Sequence, residues 1–172
     1  MTRRSSVEIA SYCPDWPRTF EAERIALAEI FPQSAFRIEH VGSTAVRELP
    51  AKPIVDILIG AGSLAEIEAR IREMEAHGYR YVPEYEAVLP QRRYFTKPKD
   101  PPRRFHVHAV EIDSRFWAEH LLFRDALRAD RALAAEYGAL KIALATRFGD
   151  DREAYTDAKT PFIQAVLRRA RQ

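Results

Sequence analysis

Residues 53–59, Pro-Ile-Val-Asp-Ile-Leu-Ile, constrain what this chain can fold into more than any other stretch. The run is rich in β-branched side chains and apolar on both alternating faces, as a strand covered on both sides must be. Such a sheet needs flanking layers, and helical periodicity elsewhere supplies them. One residue breaks the pattern. Asp56 sits mid-strand, where a carboxylate is costly to bury without a cation or metal ion beside it. About a dozen residues upstream, Gly42-Ser43-Thr44-Ala45 reads as a small-residue turn exposing backbone N–H groups and a hydroxyl, which is what a phosphate needs. A phosphate-binding turn beside a metal-binding acid is the plan of a nucleotidyl-transfer site. The alternative is a tight turn leading into a core strand whose Asp caps a neighbouring loop.

The remaining spacing fills in the layers. Asp15 through Phe31 reads as a helix, with Pro17 in its first turn and Phe20, Leu27, Ile30 and Phe31 as its apolar stripe. Ser63 and Glu66 make a capping box that opens a helix over 63–77, stopped by Gly78. Strands are expected at Phe36–Val41, Pro53–Ile59, Tyr79–Val82 (short), Tyr94–Thr96 and Phe105–Ile112. From Ser114 onward only helices are expected: one through Phe116 to Leu127, one through Leu133 to Leu144, and one over 152–170, which Pro161 either kinks or restarts. The expected fold class is α/β (α+β): one domain over 1–172, with a sheet region to about 112 and a helical extension after it.

Composition removes several classes. A 47% hydrophobic, 30% charged chain is neither disordered nor fibrous. A net charge of +2 gives no whole-protein argument for nucleic-acid binding. Cys13, the only cysteine, excludes an intramolecular disulfide and a zinc-thiolate cluster. Met1 to Ser6 begins basic but has no apolar run of signal-peptide length behind it, and the longest apolar run is far too short to span a bilayer, so the expected location is cytoplasmic, away from membranes.

Further candidates flank the Asp56 strand. Alternation places His106 and His108 on one face, opposite Phe105, Val107 and Ala109, with Glu111 on that opposite face. Two imidazoles so spaced can hold a transition metal or act as base and phosphate donor; the alternative is an exposed face carrying two ordinary histidines. Arg92, Arg93, Lys97, Lys99, Arg103 and Arg104 form a basic segment interleaved with Tyr94 and Phe95. Such a segment suits a phosphate or a stacked base, or is simply a solvated loop; Arg93 is its strongest candidate. Lys52 is placed to reach a phosphate or a surface acid, and His40 precedes the turn. No GxxxxGK[ST] loop, GxGxxG, GxSxG or HExxH is present.

The segments Glu39-His40-Val41-Gly42-Ser43-Thr44-Ala45-Val46 and Ala51-Lys52-Pro53-Ile54-Val55-Asp56-Ile57-Leu58 resemble the signature of the GrpB family. The resemblance extends through Pro14 to Pro17, Phe105 to His108, Phe123 to Asp125, Tyr137 to Lys141 and Tyr155 to Lys159. It implies a nucleotidyltransferase-like mixed sheet with a C-terminal helical extension; the family's activity is not established. In the wider superfamily pattern a Gly-Ser turn is followed by Asp-x-Asp and then a third acid on a later strand. Gly42, Ser43 and Asp56 match, whereas position 58 is Leu58 and the later strand presents His106 and His108. The residues and the resemblance together give the expected site: Asp56 and His108 catalytic, Asp56, His106 and His108 around a divalent metal (Mg2+, Mn2+ or another transition metal), and Gly42, Ser43, Thr44, Lys52 and Arg93 around a nucleotide. The expected function is metal-dependent nucleotidyl transfer to a small molecule. The alternatives are a non-catalytic nucleotide- or ligand-binding protein of the same fold, or a metal-dependent phosphohydrolase.

Overall fold

The structure, a computed structural model, describes residues 7–172; the basic start Met1 to Ser6 lies outside them. Helix α1 (Trp16–Ile30) is followed by β1 (Arg37–Val41), a 3-10 turn (Ser43–Ala45) and β2 (Val55–Ala61). Helices α2 (Leu64–Glu68) and α3 (Ile71–Ala76) then lead to β3 (Arg80–Tyr81), β4 (Arg92–Lys97) and β5 (Phe105–Glu111). Three long helices close the chain: α4 (Arg115–Ala129), α5 (Arg131–Phe148) and α6 (Arg152–Ala170). The five strands form one mixed sheet in the order β1-β2-β5-β4-β3, with β2 and β5 parallel at its centre and the other pairings antiparallel.

Alternation along the central strands sorts the side chains onto two faces. Val55, Ile57, Ile59, Phe105, Val107, Ala109 and Phe95 point to one face and form the main core with Leu27 and Phe31 from the α1 region and Ile67 and Met74 from α2 and α3. On the other face Val41, Leu58 and Val110 are covered by Phe116, Trp117 and Leu121 of α4. That helix lies so close that a Cβ on Gly60 would stand 2.7 Å from the Trp117 ring. A third cluster, Val46, Leu49, Leu127, Ala134 and Tyr137, joins the segment after the Gly-Ser turn to α4 and α5.

The helix starts follow their caps. Ser63 and Glu66 form the full capping box, and Ser114, Asp130 and Asp151 each accept a backbone N–H three residues on. The single helix expected over 63–77 is instead two. The Arg70 N–H bonds Ile67 O, three residues back, while the Arg70 guanidinium donates to Glu66 O and, at 3.0 Å, to Ile30 O at the end of α1. This tertiary anchor tightens the chain at Ala69–Arg70. Pro161 neither ends nor restarts α6, which runs through it. No helix among the described residues is long and apolar enough to cross a membrane.

Candidate functional site

Register places the site. Thr96 of β4, His106 of β5, Asp56 of β2 and Val41 of β1 are successive cross-strand partners, a row across the α4-side face of the sheet. Asp56 Oδ1 lies 3.5 Å from His106 Nδ1 and 3.6 Å from His108 Nε2. Burial alone would raise the Asp56 pKa. The two imidazoles outweigh that and hold the carboxyl below the usual carboxylate range, so it is ionised. Beside it the chain leaves β1 through Gly42, at φ +71°, where a Cβ would stand 2.6 Å from Asp56 Oδ2. Glycine is required there twice over, by backbone conformation and by the carboxylate. His40 Nε2 meets Thr44 Oγ1 at 2.9 Å and its ring stacks on Phe20, so His40 ties the turn down. Burial lowers its pKa to about 4 and keeps it neutral.

His108 is held from both sides. Arg92 Nη1 lies 3.1 Å from His108 Nδ1, and a guanidinium can only donate. Nδ1 is therefore the acceptor, and the neutral ring carries its proton on Nε2, facing Asp56. Burial lowers the His108 pKa despite the carboxylate, consistent with that neutral form. Arg92 itself lies over Tyr94, 4.8 Å from the ring centre. His120 of α4 stacks on Phe116 with ring centres 3.9 Å apart, and burial lowers its pKa to about 4.

The C-terminal helices bring cations to the same carboxylate. Lys141 of α5, 2% exposed, donates to Ser43 Oγ at 2.7 Å and to Pro50 O at 2.5 Å. Lys52 and Lys159 approach the Tyr155 ring, 4.9 and 4.4 Å from its centre. Together with Arg152 they line a cavity of about 180 Å³ whose floor is Ser43, Thr44, Asp56 and His106. Burial, then neighbouring cations, lower the Lys141 pKa to about 7 and that of Lys52 to about 8; burial also lowers Lys159. Asp56 opposes the shift in all three, the electrostatic sign that they converge on it. Four cations against one carboxylate leave the cleft with excess positive charge, the field an anion needs.

Of the expected site residues, Gly42, Ser43, Thr44, Lys52, Asp56, His106 and His108 are brought together. Arg93 is not. It alternates to the opposite sheet face, paired with Ala109 in register, and its guanidinium meets Glu68 at 2.6 Å and Glu86 at 3.6 Å. Its neighbour Arg92 faces the site instead. Among the described residues no set of three or more His, Cys, Asp or Glu side chains is arranged to hold a metal ion. Lys141, Arg152, Tyr155, Lys159 and His120 are additions beyond the expected site residues, and Arg92, expected only as a member of the basic segment, takes the place given to Arg93. The signal for three of them was the 152, 155 and 159 spacing, one face of a helix.

The GrpB protein family profile matches residues 6–169. The chain belongs to the GrpB family. The crystal structure of the conserved protein GrpB from Enterococcus faecalis superposes with a TM-score of 0.83 at 35% identity, covering 95% of this chain and 96% of that one. The glutamate-rich protein GrpB of Alkalihalophilus pseudofirmus is 32% identical, covering 95% of each chain. The UPF0157 protein YqkA of Bacillus subtilis is 35% identical over 98% of this chain, which spans only 48% of YqkA. More distantly, the Cid1 poly(U) polymerase shares the fold, with a TM-score of 0.51 at 14% identity over 86% of this chain and 49% of Cid1. The chain thus has a mixed α+β fold that it shares with GrpB and, more distantly, with Cid1.

Proposed function

We propose that this GrpB protein binds a nucleoside triphosphate in the cleft over Asp56 and transfers its nucleotidyl group to a small molecule. The observation that carries the reading is the convergence of Lys52, Lys141, Arg152 and Lys159 on Ser43 and Asp56, where a chain of phosphates satisfies cations that one carboxylate leaves in excess. Backbone N–H groups at the Gly42–Ser43 turn and the hydroxyls of Ser43 and Thr44 add neutral donors. Asp56 is the group that would hold a divalent ion arriving on the phosphates, whose oxygens complete a set that the protein alone does not offer. Bound there, the ion supplies charge neutralisation on the phosphate oxygens. His108 acts differently in this reading: with Arg92 on Nδ1, its Nε2–H holds the Asp56 carboxylate in place. In the transfer the acceptor oxygen bonds to the α-phosphorus and pyrophosphate leaves with the broken bridging bond. His106, which lines the cleft beside Asp56, takes the acceptor proton.

One observation favours a second reading, binding without transfer. Leu58, where a second acid would stand, is fully buried against Val41, Val110 and α4, so that position is committed to packing. Incubation with radiolabelled nucleoside triphosphates, Mg2+ or Mn2+ and a metabolite pool separates the two. Pyrophosphate release that is lost in Asp56→Asn supports transfer, and tight binding without turnover supports the second reading. No binding of any triphosphate at millimolar concentration would overturn both.

A further inference from the structure

The cleft over Asp56 opens into a second, larger cavity that the phosphate reading does not use. It has a volume of about 850 Å³ and shares Lys52, Ile54, His106 and Arg152 with the first. The 180 Å³ cradle has room for phosphates and little else, whereas small-molecule sites span about 300–1,000 Å³. The larger cavity has one aromatic and apolar wall, with Tyr85, Tyr94, Pro101 and Pro102, and charged side chains, Glu8, Arg80, Glu84 and Arg103 among them, around the rest. Tyr94 is nearly buried, with its ring centre 5.6 Å from His106 and 5.5 Å from Tyr85, which stands edge-on to it. Tyr85 is half exposed, with the Arg92 guanidinium 5.9 Å from its ring centre. One polar atom in this wall has no partner. Thr96, 6% exposed, heads the row Thr96–His106–Asp56, and its Oγ1 is buried with no hydrogen-bond partner among the described residues. A buried hydroxyl without a partner costs stability, and at a cavity wall a bound ligand or a water supplies that partner.

From this cavity we infer a binding site for a planar aromatic or heteroaromatic ring with a hydrogen-bonding edge. Tyr85 and Tyr94 supply the ring contacts, and Thr96 reads the edge. The position beside Lys52 and Arg152 leaves two sources for the ring: the base of a nucleotide whose phosphates lie in the cradle, or an aromatic second substrate meeting it at His106. The assignment stands beside the phosphate reading and does not require it.

Indole, a flat ring with one N–H, is titrated against the full chain by ligand-observed NMR, with and without saturating ATP and Mg2+. Wild type is expected to bind indole, and Thr96→Val and Tyr85→Ala each to weaken it fivefold or more. Thr96→Val is also expected to raise the Tm by about 2–4 °C, because it removes an unmade buried group. A residue that only packs would give a Tm gain without the affinity loss. Displacement of indole by ATP identifies the ring as the nucleotide base, and simultaneous binding identifies a second substrate. Absence of indole binding, equal affinity in both variants, or a lowered Tm in Thr96→Val would overturn the site. Tripolyphosphate binding, measured in parallel, reports on the cradle alone, so its failure counts against the proposed function and leaves the indole result standing.

Discussion

Lys141 Nζ lies 2.7 Å from Ser43 Oγ although 98 residues of chain separate them, and this contact joins the helical extension to the Gly-Ser turn. The lysine is buried where its charge is disfavoured, and an anion beside it would restore the charge. Binding of tripolyphosphate or a nucleoside triphosphate should therefore raise the pKa values of Lys141, near 7, and Lys52, near 8. The complex then holds more protons than the free protein around pH 7–8, so binding takes up protons and weakens as pH rises through that window. Calorimetry in buffers of different ionisation enthalpy reads the proton count directly; net proton release would contradict the assignment.

Replacing Lys141 by Met removes a charged donor from the cradle. Hydrogen bonds to charged groups contribute about 1.5–3 kcal/mol, so tripolyphosphate affinity should fall roughly 10- to 100-fold. An unchanged dissociation constant in a folded variant would place the phosphates elsewhere.

Gly42→Ala should be damaging for a reason local to the site. Gly42 combines φ +71° with ψ −172°, a region essentially confined to glycine that costs an alanine about 1–3 kcal/mol, and the new methyl group would press on Asp56 Oδ2. The expected result is a lowered Tm together with loss of nucleotide binding, whereas Ala at Gly62, outside the site, should leave binding intact. A Gly42→Ala protein with wild-type Tm and affinity would show that the turn is not under the constraint described.

Restoring the missing acid by Leu58→Asp should fail. The new carboxylate would enter the cluster of Val41, Val110, Phe116, Trp117 and Leu121, and an unpaired buried charge costs about 3–5 kcal/mol. Denaturant unfolding should show that loss, with no gain in Mn2+ affinity. A stable variant with tighter metal binding would mean that α4 can yield the position.

Acid should destabilise the fold before most carboxylates titrate. Burial lowers the pKa of His40 and His120 to about 4, against 6.5 for the free side chain. Between those values the unfolded chain binds more protons than the native one, so stability falls as pH drops from about 6.5 to about 4, by up to about 1.4 kcal/mol per histidine per pH unit. Urea midpoints at pH 7, 6 and 5 test this, and His120→Gln should flatten the slope. A midpoint flat over that range would mean these rings are not held neutral.

Much of the fold was legible because it rests on local signals. The doubly apolar 53–59 run, the capping box at Ser63 and the alternation of 105–111 each act over a few residues, and each produced the element expected. The break at Ala69–Arg70 was not legible, because it depends on the Arg70 guanidinium reaching Ile30 O, forty residues away.

The chemistry divides in the same way. The sequence by itself placed His106 and His108 on one strand face and Gly42 and Ser43 in one turn, since alternation and turn chemistry are local; that Asp56 stands beside His106 was decided by the pairing of β2 with β5. Which arginine faces the cleft depended on one residue of β4 register: Arg93 turns to Glu68 and Arg92 to His108. Only the tertiary structure decided that Leu58 lies under α4 and that Lys141, Arg152 and Lys159 close over Asp56. Those contacts join elements far apart in the chain, and long-range packing leaves no local periodicity from which to read it.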